Sequence, residues 1–150
     1  MSTRCNIGFY EKSPTKTQIL KPEALLYKHS DGYPDTENGV VGFILPFLQK
    51  FNEKRGLDDI EYASAQLMHF MIAESNAGMA KWWTEQYQSE KPYEPDFLGY
   101  GICKPEFLHW DIEYYYAISP TDLKVYEVNM DWGAKKMQSK HFKLIDTVKI

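Results

Sequence analysis

The chain has 150 residues, 43% of them apolar and 15% aromatic, which suits one domain (residues 1–150) with one core and excludes wholesale disorder. Its formal net charge is -4, with no long run of either sign, so a surface that binds nucleic acid by neutralising phosphates is not expected. No stretch is apolar enough to cross a bilayer, the first residues lack the apolar centre of a secretion signal, and two cysteines, Cys5 and Cys103, are too few for a disulfide framework. A cytoplasmic protein with reduced thiols is expected.

Residues 3–10 form the first predicted strand, in which Cys5, Ile7 and Phe9 alternate with Arg4, Asn6 and Gly8. A turn around Ser13-Pro14 leads to a second strand over residues 24–29, and the pair reads as a hairpin. The loop Lys28-His29-Ser30-Asp31-Gly32-Tyr33-Pro34 follows, in which Asp-Gly can supply a positive φ. Val40, Ile44, Phe47, Leu48 and Phe51 then share one face of a helix, with Thr36 or Asn38 as candidate caps, Pro46 as a kink and Gly56 as the stop. Ile60, Ser64, Leu67, Met68 and Met71 repeat that spacing after Asp58-Asp59. This second helix is predicted to end near residues 76–78, since Asn76 and Gly78 both tolerate the left-handed conformation. A short separate helix over residues 79–87 carries Trp82 and Trp83.

The remainder reads as strands at residues 98–103, 109–118, 123–130 and 142–150, with turns at residues 119–122 and 131–133. The expected architecture is α+β: a mostly antiparallel sheet with two main helices packed on one face, in the order ββααβββ with room for one more strand.

Two polar groups stand out. On the strand 109–118, period-two alternation places His109, Asp111, Glu113 and Tyr115 on the face opposite Trp110, Ile112, Tyr114, Tyr116 and Ile118. An imidazole and two carboxylates in a row can hold a divalent metal or act as acid and base; equally, one wet face of an antiparallel sheet shows the same alternation. The loop is the second group. Turn chemistry accounts for Asp31, Gly32 and Pro34 but leaves His29 and Tyr33 without a structural reason. Gly99-Tyr100-Gly101 hints at a close approach to that strand. Walker-type, dinucleotide-binding and zinc motifs are absent from the sequence.

The opening MSTRCNI, the KHSDGYP block before a helix and the later DIEYYYAI strand resemble an uncharacterised family of small bacteriophage and prokaryotic proteins. The matching positions are Thr3, Arg4, His29, Asp31, Gly32, Tyr33, Pro34, Asp111, Glu113 and Tyr114. The resemblance implies a phage or mobile-element origin and an α+β fold; it brings no activity with it. It favours a binding protein without a cofactor, directed at a nucleotide-like host signal or at a host defence protein. In that reading Tyr33 stacks a base, Arg4 meets a phosphate, and Asp31 and Asp111 accept from sugar hydroxyls or base amines. His29, His109, Glu113 and Tyr115 complete the expected ligand-binding set. The rival expectation is a metal-assisted hydrolase, such as a phosphodiesterase, using His29, Asp31, His109, Asp111 and Glu113. A third is a protein-interaction module with Trp82, Trp83 and Trp132 in an exposed aromatic patch. The oligomeric state stays open.

Overall fold

A strand whose residues are apolar or small on both faces, apart from one asparagine, Asn6, that donates to the Leu26 carbonyl at 2.9 Å, suits the middle of a sheet covered on both sides. β1 (Cys5–Phe9) is that strand, and all five of its residues are buried. The structure, a computed structural model, describes residues 2–87, 92–95, 97, 99–106, 111–130 and 135–150. Among these, the further elements are β2 (Ala24–Lys28), α1 (Val40–Lys54), α2 (Ile60–Tyr87), β3 (Tyr100–Cys103), β4 (Tyr114–Ile118), β5 (Asp122–Val128) and β6 (Phe142–Lys149). They build a six-stranded sheet in the order β3-β2-β1-β4-β5-β6. Every neighbouring pair is antiparallel except β1 and β4, which run parallel with Cys5 opposite Tyr114. The fold is α+β, as the alternation predicts, and the additional strand is present. No helix among the described residues is long and apolar enough to cross a membrane.

The two faces of the sheet carry separate apolar clusters. Cys5, Ile7, Phe9, Leu26, Tyr116 and Ile118 pack under Val40, Ile44 and Leu48 of α1 and Leu67, Met68 and Met71 of α2. On the other face Leu25, Tyr115, Ala117, Tyr126, Val128 and Phe142 gather with Tyr10, Ile19 and Ile112. Ile19 comes from a 3-10 turn, Gln18–Leu20, in the long β1–β2 connection. That turn is anchored where Tyr10 Oη donates to the carbonyl oxygen of Ile19 at 2.5 Å.

The second cluster corrects one member of the polar row expected along residues 109–118: Asp111 and Glu113 are exposed, but Tyr115 is not. Among the described residues regular strand begins at Tyr114, and Tyr115 is completely buried, its hydroxyl hydrogen-bonded to that of Tyr10. A phenol is amphipathic, so its ring fills the second cluster while its one polar atom finds a partner. Burial holds both tyrosine hydroxyls well above the usual phenol range. Gly8 makes room for this ring: a Cβ there would sit 1.9 Å from Tyr115 Oη.

Three local expectations also change. α2 is one helix of 28 residues and runs straight through Asn76 and Gly78. Ala77, Met79 and Ala80 are strong helix formers on either side, which offsets the cost of about 1 kcal/mol that a mid-helix glycine carries. α1 begins at Gly39 with no side-chain cap, so neither Thr36 nor Asn38 caps it. Instead Asp35 accepts from the backbone N–H groups of Glu37 and Asn38 in the turn just before, which pulls its carboxyl below the usual range. Gly56, with φ of 100°, does terminate α1 as predicted. Asp59 precedes α2, and its carboxylate pairs with Arg55 at 2.7 Å.

Gly8→Ala is expected to destabilise the fold by about 1–3 kcal/mol, the usual cost of overpacking. Adding Tyr115→Phe, which deletes the colliding oxygen, should recover part of that loss. Urea unfolding of the two single variants and the double variant checks this, and strictly additive losses would contradict it.

Candidate functional site

The loop after β2 is where the two faces of the sheet diverge. On β2, Lys28 lies opposite Cys5 on the helix-facing side, and Tyr27 lies opposite Asn6 on the other. Alternation therefore sends His29 to the side away from the helices, where Tyr27 Oη and His29 Nδ1 are hydrogen-bonded at 3.0 Å. The chain then turns sharply. The positive φ falls on Asp31, at 54°, and not on Gly32. Aspartate tolerates that region because its short polar side chain bonds locally. Gly32 is required for another reason: a Cβ there would meet the Thr3 carbonyl oxygen at 2.9 Å. Its N–H donates to that same oxygen at 2.9 Å, and its own carbonyl accepts from Tyr116 Oη at 2.7 Å. The loop is thus clamped between the start of β1 and the middle of β4. From there Tyr33, half-buried, offers its carbonyl to the Val40 N–H at 2.8 Å and so sets the start of α1.

On the helix side a cleft of about 370 Å³ opens between this loop, the start of α1, the middle of α2 and β3. Lys28, only 7% exposed, sits within it. Its ammonium donates to the Ser30 carbonyl and lies 5.6 Å from the centre of the Tyr100 ring. Burial lowers the proton affinity of this ammonium, and the neighbouring Cys5 and Asp31 oppose that effect. The same burial pushes the Cys5 thiol up to about 12, so it is no nucleophile at neutral pH. Tyr100 shares a hydrogen bond of 2.5 Å with Ser75 of α2. Burial raises its phenol above the usual range, with that bond opposing. Val40, Phe43 and Phe70 form an apolar wall, and Asp31, Glu37 and Glu74 supply carboxylates.

The far side of the sheet holds a different group. Arg4 Nη1 donates to Asp111 Oδ2 at 2.5 Å, with the side chains 35% and 47% exposed. Arg4 Nε is buried and has no hydrogen-bond acceptor among the described residues. Tyr27 joins this set: burial first, and then the Asp111 carboxylate, raise its phenol, while Arg4 opposes.

The expected ligand-binding residues are therefore divided. Asp31 lines the cleft. Arg4, His29 and Asp111 stand on the opposite face, so His29 and Asp31, two residues apart in sequence, do not converge. Glu113 is exposed and is held through its backbone N–H, which donates to Arg4 O at 2.9 Å. Tyr33 is not part of the cleft lining. Tyr115 is buried away from both groups. His109 and Trp110 lie outside the described residues, as do Trp132 and the turn at residues 131–133. Among the described residues, no three His, Cys, Asp or Glu side chains come together as metal ligands.

Ser75 and Glu74 were not anticipated as site residues, and Lys28 and Tyr100, though within segments singled out in the sequence, were given no ligand-binding role. Lys28 was detectable. Ala24, Leu26 and Lys28 share the helix-facing side of β2, and a lysine in such a row is either costly or engaged. The Gly99-Tyr100-Gly101 signal is real in a different sense. Gly99 has φ of 110° and its carbonyl accepts from the His29 N–H at 2.8 Å, which brings Tyr100 over Lys28.

No protein-family model matches the chain, and neither a curated protein nor a solved structure matches it. The reading of the site rests on its own geometry.

The Arg4–Asp111 pair is half-exposed and screened by water, so Asp111→Asn should cost less than about 1 kcal/mol in stability. Chemical denaturation at low and high salt tests this; a loss of several kcal/mol that ignores salt would show a buried, structural pair instead.

Proposed function

We propose that this chain is a small-molecule binding protein whose ligand seats in the cleft over Lys28, and that the ligand is nucleoside- or nucleotide-like. One observation carries the reading: a nearly buried ammonium stands beside Asp31, under the Tyr100 ring, in an open cleft of about 370 Å³. Desolvating a lysine costs several kcal/mol unless something compensates. The Ser30 carbonyl, the Tyr100 ring face and the nearby Asp31 charge compensate in part, and a phosphate oxygen would complete the set.

The other walls suit the rest of such a molecule. Phe43 and Phe70, with ring centres 5.3 Å apart, offer an apolar aromatic wall for a base. Among the described residues of the cleft, Asp31, Glu37 and Glu74 outnumber the one cation, Lys28. They favour donors, which sugar hydroxyls and base amines supply, much as an acidic residue takes ribose hydroxyls in dinucleotide sites. The resemblance to small phage proteins supplies the setting: sequestration of a nucleotide-like host signal, or antagonism of a host defence component, in the cytoplasm of the infected cell.

A second reading is a protein-interaction module. It draws on the end of α2, where Ile72, Met79, Trp82 and Tyr87 are all exposed, Trp82 at 45%. Aromatic side chains of this kind anchor interfaces.

Thermal melts of the protein with nucleosides, nucleoside phosphates, cyclic dinucleotides and ADP-ribose, each with and without a chelator, separate these readings. A true ligand at a hundred times its Kd adds about 2.7 kcal/mol of stability. That gain should survive the chelator and the Arg4→Ala change, and should vanish in Lys28→Met and Asp31→Asn. No gain with any of these ligand classes would reject the small-ligand reading and leave the interaction module. A gain that requires metal would favour the hydrolase.

A further inference from the structure

A second cavity, of about 500 Å³, lies between α1 and the start of α2 and is lined by Phe47, Lys50, Phe51, Lys54, Arg55, Tyr62 and Gln66. Its charge is opposite to that of the Lys28 cleft. Among the described residues three cations and no carboxylate line it, one of the cations, Arg55, being paired with Asp59 beside the cavity, on a chain whose net charge is -4. Its floor is aromatic. Phe47 and Phe51 are stacked with centres 5.9 Å apart, and Tyr62 is 52% exposed.

The ordinary explanation is a solvated end of a helix. Lys54 fits it, because a cation in the last turn of α1 meets the negative end of the helix dipole. Lys50 does not fit as well. It stands one turn earlier, four residues from Lys54, where two like charges on one helix face repel. Neither lysine forms an ion pair among the described residues. Arg55 is held differently. Its Nε donates to Asp59 at 2.7 Å and its guanidinium carbon lies over the Tyr62 ring, 3.7 Å from the ring centre. A planar cation fixed on both counts loses little freedom when its remaining N–H edge meets an anion.

We infer that this cavity is a second binding site, for a small aromatic anion: a flat ring on the Phe47–Phe51 floor, with its carboxylate or phosphate met by Lys50, Lys54 and Arg55. The ring supplies the apolar contact that a bare anion lacks, and the cations supply the attraction that a neutral ring lacks. Both halves are needed, because surface charges alone hold a small ion weakly.

The test is titration of the full chain with phenyl phosphate and with phenylacetate, which separate the phosphate and carboxylate sources. Benzyl alcohol serves as the neutral ring and inorganic phosphate as the ringless anion. Binding is followed by the backbone amide resonances of residues 47–66. Both aryl anions, or one of them, should shift these resonances and bind about tenfold more tightly than either control, an increment expected of a charge-assisted contact. Lys50→Gln with Lys54→Gln should weaken the aryl anion about tenfold, and so should Tyr62→Ala, whose ring is exposed enough to remove without unfolding the chain. Lys28→Met should change nothing, which keeps this outcome separate from the fate of the Lys28 cleft. Equal binding of the neutral ring, shifts confined to other residues, or unchanged affinity in the variants would overturn the inference.

Discussion

The placement of the Lys28 cleft depends on how tightly the backbone of Gly32 is packed against the beginning of the central strand. β1 is buried on both faces, and the loop that follows β2 crosses its start closely enough that a methyl group at residue 32 would strike the Thr3 carbonyl. Two hydrogen bonds, from Gly32 N–H to Thr3 and from Tyr116 to the Gly32 carbonyl, close the contact. Loops are ordinarily the mobile part of a domain. Here the loop is tied to two strands of the core, and what it carries is placed with the precision of the sheet. Lys28 is directed inward just before it, Asp31 is presented at its positive-φ position, and the Tyr33 carbonyl starts α1.

The placement has an electrostatic consequence. A ladder of rings, Phe43–Phe70–Phe47–Phe51, runs between the two helices with successive centres 5.3, 5.0 and 5.9 Å apart. Glu37 and Glu74 line the cavity at one end of this ladder, and Lys50, Lys54 and Arg55 line the cavity at the other. On the proposed reading, half-buried phenylalanines between charged ends of opposite sign make a surface that discriminates by ligand charge more than by apolar area. Specificity of this kind comes from the mismatched charge as much as from the matched one.

Much of the architecture was legible in the sequence, because alternation and helical spacing are local signals. The strands, both helices, the stop at Gly56 and the mixed α+β class follow from them. The parallel pairing of β1 with β4 does not, since its partners are separated by most of the chain and no hairpin turn announces them. The second covered face was hidden for a similar reason. Its cover is assembled from Tyr10 and Ile19 before β2 and from Phe142 near the end of the chain. Tyr115 therefore reads as one of a polar row when it is a core residue. The loop was recognised as special, but its residues were grouped by nearness in sequence. The sheet separates His29 from Asp31, and Lys28, which shares the cleft lining with Asp31, was visible only as an inward-facing lysine.

The claim that the loop belongs to the rigid core is tested most directly by native-state hydrogen exchange, residue by residue. The account predicts that the Gly32 amide opens only with the central strand, with the same protection and the same denaturant dependence as Ile7 and Tyr116. Exchange at Gly32 as fast as at Glu37 and Asn38, whose N–H groups bond only to the exposed Asp35 carboxylate, would contradict it. The loop would then be a loose connection, and the cleft would not be a preformed site.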